Sequence, residues 1–467
     1  MPRSGLKNYW SSAATAAVLA CWLASPAAAV STLEDALTQT YETNPTLLAE
    51  RAQLRAVDEG VAQAASNWRP TVTVTGTFSD AETRLDTGPG SIPNGPSNLI
   101  NTDSENYSGT LVASQSMFRG FRSVNEFRQA QANVRAGRAG LHSTEQSVLL
   151  SAVTAYQDVI RDQAVVELRQ NNVAVLVRQL EASQDRFDLG DTTRTDVAQS
   201  EARLSLARAN LTAAEAQSTV SRAAFERIIG SEPETLVAPD GLPVLPATEA
   251  DAMRMALENN PALRAAVEAE IASRRQVDIS VGALLPSARV DVTLSHSEDD
   301  DNLQTQTDST TIAGTVTVPL YQSGAEYSAI RQARQLNSAD RIRIAETERQ
   351  IRETVAVAWD ALISTQSVIT SSQEQVRANE IAFEGVTQEA QVGSRTTLDV
   401  LDAEQELLDS RVSLVRAQRD ELVAAYQLIA AVGDLTAQDL GLPVEYYDPG
   451  RNFRNTWWLP IGWGMGQ

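Results

Sequence analysis

Two stretches of the chain, residues 97–232 and 320–442, contain no proline, although the 467-residue sequence has 17. Proline breaks a helix interior by removing a backbone donor and clashing with the preceding turn, so these stretches are where uninterrupted helices can form. In the first, Leu149, Ala152, Tyr156, Val159, Gln163, Val166, Gln170, Val173, Val177, Leu180, Gln184 and Phe187 recur at alternating steps of three and four. That is the heptad seam of coiled-coil packing. Part of the seam returns 203 positions later through Val355, Trp359, Leu362, Gln366, Ile369, Gln373, Val376 and Phe383, its glutamines included. The pattern predicts a helix over 122–189, about 100 Å long at 1.5 Å per residue. No compact globular domain needs that length, so the fold must be elongated and mainly helical.

The duplication extends past the seam. LGDTTRTDVAQSEARLSLA (189–207) is matched by VGSRTTLDVLDAEQELLDS (392–410): a glycine, a Thr-rich turn, an Asp-Val pair (Asp196-Val197, Asp399-Val400), a glutamate (Glu201, Glu404) and a leucine (Leu204, Leu407). Upstream, Asp35-Ala36, Asn44-Pro45 and Pro70 recur as Asp251-Ala252, Asn260-Pro261 and Pro286, at an offset of 216. Asn-Pro ends one helix and opens the next, because proline suits the first helical turn. The fall in offset from 216 to 203 means that 13 residues are missing between Pro286 and the second seam, as expected of a surface loop. The organisation that follows is a first repeat over 30–230, a linker over 231–248, a second repeat over 249–433 and a tail over 434–467.

Between those anchors the period changes to two. Thr71, Thr73, Thr75 and Thr77 alternate with Val72, Val74, Gly76 and Phe78, and Arg289, Asp291, Thr293 and Ser295 with Ala288, Val290, Val292 and Leu294. Each run precedes a polar loop (79–106, 296–309) and a second strand, 107–117 in one repeat and 312–320 in the other, where Ile312, Gly314, Val316 and Val318 share a face. Strands of about ten residues with one apolar face suit either a soluble half-buried sheet or an outer-membrane barrel. Four strands cannot close a useful pore, so the barrel reading requires several copies of the chain.

Residues 1–29 carry Arg3 and Lys7, a short apolar stretch and Ala27-Ala28-Ala29, the layout of a cleaved secretory signal. Cys21, the only cysteine, lies within it in a loose match to a lipid-attachment site, Val18-Leu19-Ala20-Cys21. No later stretch approaches the roughly 20 apolar residues of a membrane-spanning helix, so any membrane crossing must be β. The formal net charge of −22 argues against nucleic acid as a partner. Lys7 is the only lysine, and the remaining basic residues are arginines.

Catalytic signatures are missing from the sequence. His142 and His296 have no ligand spacing, and no phosphate-binding loop, nucleophile elbow or His-Glu-x-x-His occurs. Gly88-Pro89-Gly90 reads as a turn, and Glu298-Asp299-Asp300-Asp301 as a solvated loop or a divalent-cation loop. Phe453, Trp457, Trp458 and Trp463 suit packing on the chain's own helices, or docking at a membrane interface.

Taken together, the Asn-Pro breaks, the strand-opening Arg69-Pro70 and Leu285-Pro286, the corners Met117-Phe118-Arg119-Gly120 and Pro319-Leu320-Tyr321-Gln322, and the paired Gly/Thr/Asp stretches resemble the TolC family of outer-membrane efflux proteins. The resemblance implies a mainly α fold with β: long antiparallel coiled-coil helices forming a periplasmic tunnel, plus four strands contributed to a trimeric 12-stranded outer-membrane β-barrel. It implies no enzymatic activity and no cofactor, but an exit duct for efflux or type I secretion. The implied partners are two further copies of the chain, outer-membrane lipid, a periplasmic adaptor and, through it, an inner-membrane ABC or resistance-nodulation-division pump. The two similar stretches then become tips where long helices turn back, with Gly190 and Gly393 supplying permissive backbone. Leu189, Gly190, Asp191, Val392, Gly393 and Ser394 are expected to contact the adaptor, unless the glycines only close the turn. Asp399 and Asp402 match the family's acidic constriction, and Arg395 with Thr195 and Asp196 its lock between hairpins, whose aromatic partner is replaced here by Ala390. A periplasmic coiled-coil adaptor and a diffusion porin are the rival classes. The first usually carries one hairpin and the second is nearly all strand.

Overall fold

A computed structural model describes residues 32–86, 99–239, 241–299 and 305–456. The expected signal segment with Cys21, the expected turn at Gly88-Pro89-Gly90, Asp300 and Asp301, and Trp457, Trp458 and Trp463 lie outside the described residues. The elements run α1 (Leu33–Thr43), α2 (Pro45–Ser66), β1 (Thr71–Asp86), β2 (Leu99–Arg119), α3 (Arg122–Asp188) and α4 (Arg194–Ile229). The order then repeats as α5 (Glu249–Asn259), α6 (Pro261–Gly282), β3 (Ser287–Asp299), β4 (Thr305–Thr317), α7 (Ala325–Gln391) and α8 (Thr397–Val432), closed by a short α9 (Arg451–Thr456). Corresponding helices have equal lengths of 11, 22, 67 and 36 residues.

α4 folds back along α3, and α8 along α7, yet each returning helix covers only about half of its partner. The other half is covered by α2 and α6, which sit end to end with α4 and α8. One asparagine makes each joint. Asn44 Oδ1 accepts from the Thr46 amide (2.9 Å) and caps α2, while its Nδ2 donates to the Ile228 carbonyl at the end of α4 (2.8 Å). Asn260 does the same between the Ala262 amide (2.9 Å) and the Ala431 carbonyl (3.1 Å). The Asn-Pro pair thus satisfies orphan groups of two helices at once, which is why it stands in both repeats.

The main core surrounds these joints. Tyr156, Phe225, Leu47, Leu149, Ile229 and Leu435 are fully buried there, and a second cluster of Val355, Leu362, Ala425 and Leu428 continues it in the second repeat. The predicted seam is buried from Leu149 through Val159. Nearer the tip the buried row drifts to Asp162, Asn172, Leu176 and Ser183, with Val173, Val177 and Leu180 packing beside it. A straight helix drifts about 20° per heptad against a 3.5-residue repeat, so one stripe cannot face one neighbour throughout.

The strands form one antiparallel sheet in the order β1-β2-β3-β4. Its register sets Val72 opposite Ala113, Val292 opposite Ala113, and Ile312 opposite Val292, so one face is apolar across all four strands. The Thr73, Val112, Thr293 and Thr311 row lies on the other face. β1 and β2 are longer than the sequence suggests, pairing as far as Asp86 and Leu99 within the expected loop, while β2 and β3 pair only as far as Asn106 and Asp299. This outer ribbon has polar residues on both faces, so apolar alternation gives no sign of it.

At the corner between sheet and helix, Gly120 (φ 61°) and Phe121 (φ 60°) adopt left-handed backbone, as do Ser323 and Gly324 in the second repeat. A Cβ on Gly282 would lie 2.5 Å from the Gly120 carbonyl oxygen, and one on Gly120 would lie 2.3 Å from the Gly282 oxygen. Each glycine makes room for the other's backbone. Gly282→Ala should therefore cost about 1–3 kcal/mol by overpacking, whereas Gly60→Ala, with open space around its Cβ position, should be neutral or slightly stabilising. Thermal denaturation followed by circular dichroism separates the two, and equal midpoints would mean that the corner is not tight.

Buried Glu145 accepts from the Ala437 amide (2.8 Å) and ties α3 to the segment after α8. Burial raises its pKa above the ordinary 4.5, against the opposing pull of that amide and of His142. A carboxyl raised on folding contributes most below its unfolded pKa and loses that contribution as pH rises through the folded value. Glu145→Gln keeps an acceptor without the charge. It should raise the denaturation midpoint at neutral pH, and the gain should shrink as pH falls toward 4.5.

Candidate functional site at the helical tips

The turns between α3 and α4 and between α7 and α8 are built alike. Gly190 (φ 83°) and Gly393 (φ 80°) end the long helices in left-handed backbone. The next amide reaches back over the last turn, Asp191 to the Arg186 carbonyl (2.9 Å) and Ser394 to the Glu389 carbonyl (3.0 Å). This is the Schellman ending, which satisfies carbonyls the helix leaves open. The positive φ is the whole reason for glycine here, since a Cβ at either position would meet nothing within 4 Å.

The returning helices open with capping boxes. Thr193 Oγ1 accepts from the Asp196 amide (3.4 Å) while Asp196 Oδ2 accepts from the Thr193 amide (3.1 Å) and the Thr192 hydroxyl (2.6 Å). Thr396 and Asp399 repeat the arrangement, with the Asp399 carboxylate 2.9 Å from the Thr396 amide. Donation by the Thr192 hydroxyl, then by Thr193, holds the Asp196 carboxyl below the usual carboxylate range. The Thr396 amide and hydroxyl do the same for Asp399. Both aspartates stay charged and fix the direction in which α4 and α8 leave the tip.

Arg395 forms its ion pair with Glu389 of its own hairpin (2.8 Å), which raises its pKa, and has no bond to Thr195 or Asp196 within the chain. Thr195 is exposed. Asp402 is reached instead by Arg203 of α4, with Nη2 2.5 Å from Oδ1. Beside that pair Leu401 is buried against Leu176, Leu204 and Ala207, on α3 and α4. Leu189 and Val392, at equivalent positions of the two tips, are 77% and 81% exposed.

Farther up, Asn172 donates to Glu404 (3.3 Å), Arg169 lies 3.9 Å from Asp409, and Arg419 pairs with Asp158 at 2.8 Å. These contacts fasten the α3/α4 hairpin to the α7/α8 hairpin. Sequence reasoning missed Arg203, Leu401 and Asn172, because pairing between distant helices leaves no local signal. The capping boxes did leave one, in the spacings Thr193-x-x-Asp196 and Thr396-x-x-Asp399.

This architecture has counterparts. A profile of the outer membrane efflux protein family matches residues 36–231 and 252–434, which are the two repeats. Outer membrane efflux protein BepC of Brucella suis biovar 1 is 33% identical over 437 residues, covering 92% of each chain. Outer membrane protein TolC of Vibrio cholerae is 26% identical over 425 residues, covering 87% of this chain and 92% of its own. In three dimensions the Campylobacter jejuni CmeC outer membrane channel superposes with a TM-score of 0.75 at 15% identity, over 91% of this chain and 89% of that one. With two long helical hairpins, a four-stranded sheet and these matches over both repeats, the chain belongs to the outer membrane efflux protein family, whose place is the outer membrane.

Proposed function

We propose that three copies of this chain form an exit duct that carries efflux or secretion cargo from the periplasm across the outer membrane. The sheet carries the reading: among the described residues it is open, with no further strand on β1 or β4, and it has one continuous apolar face. A bare strand edge cannot stand in hydrocarbon, where each unsatisfied backbone group costs several kcal/mol. Pairing β4 of one copy with β1 of the next removes both edges, and three copies close a barrel of twelve strands. Exposed apolar residues on the helices, among them Val357, Ile363, Val368 and Ile381, support the same assembly, since neighbouring copies would cover them.

Below the barrel the hairpins form the periplasmic tunnel. The exposed tips, Leu189, Gly190 and Asp191 with Val392, Gly393 and Ser394, supply a surface for a periplasmic adaptor, which links the duct to an ABC or resistance-nodulation-division pump. Energy comes from that pump. At the entrance Asp399 and Asp402 share one helix face, and three copies gather six carboxylates around one axis. Such a ring attracts cations.

Planar-bilayer recording of the purified protein tests the entrance. Asp399→Asn with Asp402→Asn should lose most of the parent's preference for cations, and unchanged selectivity would remove these residues from the entrance. The barrel has its own test. With the Val72, Val74, Val290 and Val292 row facing lipid, Val290→Arg should cost about 2–4 kcal/mol near the membrane midplane and impair assembly. Thr293→Arg, on the opposite face, should assemble nearly as the parent does. Equal yields of assembled protein in outer-membrane fractions would mean that the facing is reversed.

A further inference from the structure

We propose that residues 457–467 seat in the groove between α2 and α3 and strap those two helices together beneath the sheet. The path of the chain leads there. The Tyr447 amide donates to the Tyr41 hydroxyl (3.0 Å), and the Arg51 guanidinium lies over the rings of Tyr41 (4.3 Å) and Tyr447 (5.2 Å). Farther along, Asn452 Nδ2 donates to the Arg55 carbonyl (3.4 Å) and to Asp58 Oδ2 (3.3 Å), and the Arg138 guanidinium of α3 sits 5.8 Å from the centre of the Phe453 ring. The segment therefore climbs α2 toward the strands, and α9 brings it to the lower end of the groove.

The groove is a cavity of about 500 Å³ walled by residues between 56 and 67 of α2 and between 126 and 133 of α3. Small side chains, those of Ala56, Ala64 and Ala130 with Gly60, leave its space open. Among the described residues nothing lies within 4 Å of a Cβ built on Gly60. Glu126, the one charged residue of the wall, is already paired with Arg119 (2.9 Å). At the lower end, buried Asp58 keeps one carboxylate oxygen, and Arg138 its Nε, without a hydrogen-bond partner among the described residues. Buried polar groups are nearly always satisfied, so these two atoms mark a seat that a further segment completes.

The chain beyond Thr456 has the composition that this groove accepts. Residues 457–467 read WWLPIGWGMGQ, with three tryptophans and no charge. Trp457 and Trp458 come first, and their rings supply the apolar volume that the small wall residues leave open. Each buried indole N–H needs an acceptor. The side-chain amides of Gln63 and Asn133, both exposed on the wall, provide one on either helix. From Ala56 to Asn67 the groove runs about 16 Å at 1.5 Å per residue, and the segment, when extended, spans up to about 36 Å. It therefore covers the whole groove and brings Trp463 within reach of the Trp68–Phe127 ring pair at the upper end. Filling the groove fastens α2 to α3 where the helices give way to strands.

The test places one cysteine on each side of the contact in the full-length protein. Ala64→Cys with Trp457→Cys, or with Trp458→Cys, should form a disulfide within one chain under a mild oxidant, read as a faster-migrating band on a non-reducing denaturing gel. Ala64→Cys alone should give no such band. Heat denaturation followed by circular dichroism gives a second reading. Trp457→Ala with Trp458→Ala should lower the midpoint by several degrees, and Ala64→Arg, which fills the groove with a charged side chain, should do the same. All three together should lose no more than the larger effect, since both changes remove one contact. Full additivity of the two losses overturns the strap. So does failure of the bond to form within one chain, whether the cysteines then join two copies or brominated lipid quenches the tryptophans of 457–467. The tryptophan variant should conduct as the parent does in planar bilayers. A parent that forms no channel removes the duct reading and leaves the strap to be decided by the crosslink.

Discussion

A helix of 67 residues needs a neighbour along its whole length, and a hairpin partner of 36 residues cannot provide one. The rest of the fold follows from that shortfall. α2 and α6 are stacked on the ends of α4 and α8 to complete the cover, and the joints must satisfy two helix ends in the middle of a core. Asn44 and Asn260 do this by capping one helix while donating to the last turn of another. Gly433 belongs to the same constraint: its φ of 105° lets α8 stop where a Cβ would lie 3.0 Å from the Asn260 backbone. Around the joints lies the largest block of buried side chains, and the helices run from this waist toward the sheet at one end and the tips at the other.

The two ends use different physics. At the sheet the helices must give way to strands within a few residues, and left-handed backbone with mutually accommodating glycines achieves this. The strands carry an apolar face on which Val72, Val74, Ile312 and Val316 are exposed in the single chain, which suits lipid as their solvent. At the tips the chain is wet, and local hydrogen bonds hold it. Schellman endings fix each turn through backbone groups and capping boxes through Thr and Asp side chains, leaving Leu189 and Val392 exposed at the surface. A rigid turn presenting an exposed apolar residue is suited to a partner, because little of its own backbone has to be ordered on binding.

Duplication explains the shape, but the repeats have diverged where they meet. Asp196 and Asp399 both close capping boxes, yet only α8 carries an aspartate one turn further on, Asp402, and only α4 carries the arginine that reaches it. The equivalents of Asp402 and Arg203 in the other repeat are Gln199 and Glu406. The contact between hairpins is thus asymmetric within a nearly symmetric chain.

Much of the architecture was legible in the residues. Heptad spacing located α3 to within one residue of its observed end, Asn-Pro located both joints, and alternation located all four strands, because each of these signals arises between residues close in the chain. The same locality set the limits. The outer ribbon of β1 and β2 falls where the sequence reads as loop, since a ribbon with polar residues on both faces shows no apolar alternation. Gly120 and Gly282 face each other across 162 positions, and Arg203 and Asp402 across 199, so nothing in the sequence announces that they touch. Residues near one another in the chain specify the elements, their order and their duplication. Which charges meet between hairpins is set by packing in three dimensions, because it depends on the relative rotation and register of long helices, and a shift of one residue rotates a side chain by about 100° away from its partner.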